Sequence, residues 1–141
     1  MPSFIPVLLR AFLVWLVIIA TESLNGALRR LLLSPEVEFG VRQVSVVIGS
    51  IIIFAVTWLF MDWIRVRTTR AALAIGALWV VLTLAFEIAL GRLTGAGWEY
   101  ILADYDLPQG GLMPLGLLAM GLTPWAVSWL QARRKRRPTA P

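Results

Sequence analysis

The sequence predicts an all-α integral membrane protein. Its four transmembrane helices form two tandem helical hairpins of the same orientation, with a short interfacial helix between helices three and four. Three observations lead there. Of the 141 residues, 59% are hydrophobic and only 15% charged, whereas soluble domains carry about 25% charged residues. Four apolar stretches, roughly residues 7–24, 44–63, 71–90 and 112–130, each approach the roughly 20 residues needed to cross about 30 Å of hydrocarbon. Finally, Phe54-Ala55-Val56-Thr57-Trp58-Leu59 returns as Trp125-Ala126-Val127-Ser128-Trp129-Leu130.

A second echo lies upstream of each copy. Glu22 and Gly26 stand four apart in helix one, Glu87 and Gly91 four apart in helix three, and Trp15 and Trp79 precede the two glutamates. The echoes read as a duplicated two-helix unit, about 5–64 and then about 71–132, making one bundle over 1–132 followed by a basic tail, 133–141. A two-helix unit begins and ends on the same side. Its copy therefore keeps its orientation, a parallel repeat about an axis along the membrane normal.

Helix one has no basic region before its apolar run and no small-x-small cleavage site, so it is expected to stay as a span rather than act as a signal peptide. Nothing breaks it badly from Ile5 to Leu33, and about 28 residues at 1.5 Å each give roughly 42 Å. Ser34-Pro35-Glu36 then resembles a helix start, with Ser as cap, Pro at the first position and Glu at the positive dipole end. Helix three ends at Thr94-Gly95-Ala96-Gly97. After it Trp98, Ile101, Leu102 and Tyr105 recur at the spacing of one helix face. That spacing predicts a short helix lying in the interface, aromatic face down, ended by Pro108. Trp58, Trp63 and Trp129 at one edge, and Trp98, Tyr100 and Tyr105 at the other, form aromatic belts.

Charge sets the orientation. Arg10, Arg65, Arg67, Arg70 and the run Arg133, Arg134, Lys135, Arg136 and Arg137 put nine cations on one side, against Arg29, Arg30, Arg42 and Arg92 on the other. The positive-inside rule then places both termini in the cytoplasm, and the size and topology suit a bacterial inner membrane. The net charge of +5 reflects these clusters and not a nucleic-acid partner. The tail run is a topology anchor that also suits anionic lipid, at about 1 kcal/mol per charge. Asp62 is expected to be neutralised beside Arg65.

A glutamate within a span is a candidate functional group, because burying it charged is costly. Glu22 lies seven residues below Arg29, about 10 Å, and Glu87 five below Arg92, about 7.5 Å. Glu22, Gly26 and Arg29 share a face, with Asn25 beside them; Thr83, Glu87 and Gly91 share another, while Arg92 points away. Gln43, Ser50 and Thr57 recur every seven residues on helix two, as Pro114, Gly121 and Ser128 do on helix four, and such stripes face other helices. Glu22 and Glu87 are thus the candidate proton or ion site, with Asn25, Arg29, Gln43, Ser50, Thr83 and Arg92 as supporting polar groups. One outcome is structural: Glu22 pairs with Arg29, and Glu87 with Arg29, Arg30 or Arg42. The other is a shared site in which two carboxylates hold a proton or cation.

The chain has no cysteine or histidine, which excludes disulfides, thiolate chemistry, Cys/His zinc sites and His-ligated haem. Asp104, Asp106 and Gln109 lack the six to eight oxygen ligands calcium takes and read as turn chemistry. No phosphate loop or nucleophile elbow appears. No catalytic residue, metal site or cofactor is expected. A glutamate in the first of four short helices resembles one feature of the small multidrug-resistance transporters. The resemblance ends there, because Glu22 lies past the middle of its helix and a second glutamate occupies helix three. The expected function is proton- or cation-linked transport or permeation of a small solute. The alternative is a non-catalytic accessory or scaffold subunit, with buried charges serving packing; a lipid-active enzyme is a more distant third. Expected partners are the lipid bilayer and a homo-oligomer or larger membrane complex.

Overall fold

A computed structural model describes residues 3–32 and 38–138, with every side chain among them except those of Arg30, Glu38 and Phe39. The described residues are helical throughout, without strands: α1 (Ile5–Leu32), α2 (Glu38–Ile64), α3 (Thr69–Leu93), the short α4 (Trp98–Ala103), a 3-10 turn (Leu107–Gln109) and α5 (Met113–Arg136). The segments Ile5–Arg29, Gly40–Ile64, Thr69–Leu93 and Met113–Arg136 are long and apolar enough to cross a membrane. The expected helix start at Ser34-Pro35-Glu36 lies outside the described residues.

Local chemistry explains the visible ends. The Ala71 N–H donates to the Thr68 side chain at 3.1 Å, capping α3, which satisfies one of the orphan donors of a first turn. At the other end the Thr94 hydroxyl donates to the Leu90 and Gly91 carbonyls, and Gly95 turns the chain at φ +84°. Proline near the start of α5 costs no bond, while Pro124 in its interior has no N–H for the Met120 carbonyl.

The short helix stops earlier than expected. α4 ends at Ala103, and Pro108 lies inside the 3-10 turn that follows. The Asp104 carbonyl accepts from the Met113 N–H at 3.1 Å, and the Ala103 carbonyl from the Asp106 N–H at 3.2 Å. A Cβ on Gly111 would stand 2.6 Å from the Ala103 carbonyl oxygen, so only glycine lets the chain fold back here. The expected apolar face also divides. Ile101 is buried against Gly91, whereas Trp98 and Leu102 are 52% and 60% exposed. Trp98 instead lies under the Arg92 guanidinium, 5.1 Å from the ring centre.

α1 packs on α2 and α3, and α5 packs on α2 and α3. Two polar ties join α1 to α3. The Trp15 indole N–H donates to Thr83 Oγ1 at 3.0 Å, and the Trp79 indole N–H donates to the Ala11 carbonyl at 2.9 Å, both buried. A buried tryptophan needs such a partner, and here each of two helices supplies one. α3 and α5 meet at Gly76 and Gly121, where a Cβ on Gly76 would run into the Gly121 carbonyl; small residues let helix backbones approach this closely.

At the arginine-rich end, Arg10 donates to the Trp63 carbonyl and Gln131 to the Trp58 carbonyl, each at 3.1 Å. Asp62 is held by Lys135 at 3.2 Å, not by its neighbour Arg65. The reason is that α5 runs on as helix through Arg136, which carries the tail alongside α2. Arg65 sits at φ 64°, in the turn that leaves α2.

The core is one-sided. Its residues include Ala11, Val14, Trp15, Ile18, Ile19, Ile53, Ile64, Ile75, Trp79 and Met120. Among the described residues, no side chain of α1 beyond Ile19, of α2 before Gly49, of α3 beyond Thr83 or of α5 before Met120 is buried. The bundle is packed toward the basic end and loose toward the other.

Candidate functional site

That loose half encloses a cavity of about 340 Å³ among α1, α2, α3 and α5. α1 contributes Glu22, Asn25, Gly26 and Arg29 at helical spacing. α2 contributes Arg42, Ser45, Gly49 and Ser50, α3 contributes Glu87 and Leu90, and α5 contributes Met113 and Gly116; Asp104 joins them from beyond α4. The helices part here because many of their facing residues are short or polar, which leaves less apolar surface to draw the walls together.

Glu22 is the most telling side chain. Gly49 on α2 makes room for it: a Cβ there would lie 2.6 Å from Oε2 and 3.2 Å from Oε1. Oε1 is buried and has no hydrogen-bond partner among the described residues. Charged or neutral, such an oxygen is costly to leave unmatched.

The expected Glu22–Arg29 ion pair is absent among the described residues. Two turns separate them, an axial rise of about 10 Å, and an arginine near a helix end extends outward rather than back into the bundle. Arg29 lines the same cavity. Arg42 is committed elsewhere, its Nη2 standing 2.8 Å from Asp104 Oδ1. That pair links α2 to the turn after α4. Both side chains are partly exposed, so it stabilises by no more than about 1 kcal/mol.

Glu87 faces two spaces. It lines the Glu22 cavity and also a groove under α4 formed by Gly91, Thr94, Tyr100 and Tyr105. Tyr105 packs beside it with its hydroxyl buried and without a hydrogen-bond partner among the described residues. Burial, then the charges of Glu87 and Asp104, push the Tyr105 phenol above its ordinary value.

Of the residues singled out from sequence, the structure gathers Glu22, Glu87, Asn25, Arg29 and Ser50 around one cavity. Three others lie elsewhere. Gln43 is exposed beside the 3-10 turn. Thr83 is buried deeper, accepting from Trp15 and donating to Met120 Sδ at 3.0 Å. Arg92 caps Trp98 and donates to the Ala96 carbonyl at 3.4 Å. The hydroxyls of the α2 stripe turn back on their own helix, Ser50 to Val46 and Thr57 to Ile53, as serine and threonine do within helices. Sequence reasoning missed Gly49 and the Arg42–Asp104 pair. An interior glycine, which costs a helix about 1 kcal/mol against alanine, was the available signal for Gly49.

The floor of the cavity is apolar. Ile19 and Ile53 are buried beneath it, and the paired Trp15 and Trp79 seal the bundle below. Among the described residues, no group of three or more His, Cys, Asp or Glu could hold a metal ion. Set against protein-family models, curated proteins and solved structures, the chain matches none of them.

Proposed function

We propose that this chain is a small multi-pass membrane protein whose Glu22–Glu87 chamber binds a proton or a small cation during transport of a small solute. The observation that carries the reading is the Glu22 carboxylate: it faces a polar cavity within the bundle, has one buried oxygen unmatched among the described residues, and forms no ion pair with Arg29 or Arg42, which line the same space. A group held only for packing would be expected to be neutralised. The chamber opens toward one end and is sealed by apolar packing at the other, as in a carrier that exposes its site to one side at a time and unlike an open pore.

The reading includes the duplication. Both α1–α3 indole bonds span 68 positions, and both α2–α5 polar links span 73. Phe54 stacks with Trp58 at 5.9 Å, as Trp125 does with Trp129 at 6.5 Å, so the echoed segments carry the same aromatic pair. These regularities support two tandem hairpins of one orientation, with α4 lying in the interface. Both termini are then cytoplasmic, in a bacterial inner membrane.

A second reading, a scaffold subunit, draws on the tryptophan bonds and the Arg42–Asp104 link, which fix helix register without chemistry. The test is Glu22→Gln and Glu87→Gln in proteoliposomes. Loss of proton- or cation-dependent uptake with fold and oligomeric state unchanged supports the transport reading. Destabilisation of the bundle, or no effect at all, supports the scaffold.

A further inference from the structure

Glu22 is not the only charge in the chamber without a partner among the described residues. Arg29, half-buried, lines the same cavity two turns away on the same helix and makes no hydrogen bond or ion pair to a described residue. The two are too far apart to satisfy each other, since seven residues rise about 10 Å along the axis. Between them the wall is open: a Cβ on Gly26 or on Gly116 of α5 would meet nothing within 4 Å. Asn25 and Ser45 line the same cavity.

We propose that the chamber binds a zwitterion, an ammonium group joined by a short linker to a phosphate or carboxylate, with the ammonium on Glu22 and the anion on Arg29. This rests on the acidic-site reading and narrows its ligand. A cation alone would match Glu22 and leave the half-buried Arg29 without a counter-ion, and an unpaired charge is costly to hold partly buried. An anion alone would leave the carboxylate in the same position. A ligand carrying both charges satisfies the two together, and the guanidinium fork suits a phosphate or carboxylate oxygen pair. The same chemistry exists in a free amino-phosphate and in the headgroup of an aminophospholipid.

The test uses the full-length protein in detergent and in nanodiscs, with calorimetric binding of O-phosphoethanolamine and of ethanolamine. The wild type is expected to bind O-phosphoethanolamine about tenfold or more tightly than ethanolamine, the worth of one charged hydrogen-bonded contact. Arg29→Gln should abolish that difference while ethanolamine binding persists, and Glu22→Gln should lose both ligands. Gly26→Leu, which fills the gap without removing either charge, should lose O-phosphoethanolamine in a normally folded bundle. Selective retention of phosphatidylethanolamine over phosphatidylglycerol in native mass spectrometry, abolished by Arg29→Gln, supports the inference with the lipid as the source. Binding of the soluble compound without such retention supports it with a free solute. Equal affinity for the two soluble ligands, without lipid selectivity, overturns the zwitterion and leaves the acidic site standing. No binding of any of them, with Glu22→Gln behaving as wild type in uptake, overturns both.

Discussion

Replacing Gly49 with alanine separates the site from the fold. The added Cβ would lie 2.6 Å from Glu22 Oε2 and 3.3 Å from Cδ, where ordinary contact begins at 3.4 Å. The carboxylate must therefore withdraw by about 0.8 Å from the α2 wall. It is the far end of a flexible side chain, so the move costs about 0.5–1.5 kcal/mol of rotamer strain. Alanine returns about 1 kcal/mol, because glycine is the poorer helix former. The net change in stability is expected to stay within about 1 kcal/mol. Binding at the carboxylate should suffer far more: loss of one charged hydrogen bond, about 1.5–3 kcal/mol, is roughly a ten- to hundredfold weakening. Thermal unfolding in detergent and cation binding, measured on the same preparation, check both halves. Unchanged binding, or a stability loss well beyond 1 kcal/mol, would show that Gly49 does not position Glu22.

Gly76→Ala should behave in the opposite way. Its Cβ meets the backbone carbonyl of Gly121, which cannot swing aside, so α3 and α5 must part and unfolding should become easier by about 1–3 kcal/mol. Trp15→Phe removes the indole donor to Thr83, a loss of about 0.6–1.7 kcal/mol for an interhelical bond, visible as a lower unfolding temperature in detergent. For Tyr105, the folded state holds its proton more tightly than the unfolded chain, so stability should fall as pH rises beyond the ordinary phenol value of about 10. Tyr105→Phe should remove that slope in pH-dependent unfolding curves.

The sequence carried the helices better than the contacts between them. The four spans follow from length and apolarity alone, and α1 is helical through Leu32, the last described residue before the expected end at Leu33. Glu22, Asn25 and Arg29 could be grouped in advance because they share one helix, where 3.6 residues per turn fixes the face. Partners across helices were less legible. Arg42 finds Asp104 across 62 positions, and Asp62 finds Lys135 across 73; in each case the sequence offers a nearer cation or a turn role. A stripe shows which face is polar but not whether its hydroxyls reach outward, and those of Ser50 and Thr57 stay on their own helix. α4 ended early because a fold-back at Gly111 takes up the carbonyls of Ala103 and Asp104, a demand of tertiary geometry that Pro108 does not encode.

The one-sided core makes the direction of access testable, and the absence of cysteine makes the test clean. Ser23 and Ser45 line the chamber above the level of Gly49, whereas Thr57 is wholly buried below it. Introduced singly as cysteines, Ser23→Cys and Ser45→Cys should react with a membrane-impermeant maleimide. Thr57→Cys should react more slowly by an order of magnitude or more, since it is reached only through local opening of the packed half. In intact cells the two reactive positions should be labelled from outside if the proposed orientation, with the basic end in the cytoplasm, holds. A chain that conducts through a standing pore would expose Thr57→Cys as well, and a chain of reversed orientation would label only in inverted vesicles. Protection of Ser45→Cys by O-phosphoethanolamine, lost in an Arg29→Gln background, would tie the accessible chamber to the charges that line it. Accessibility without protection would separate the shape of the chamber from the ligand assigned to it.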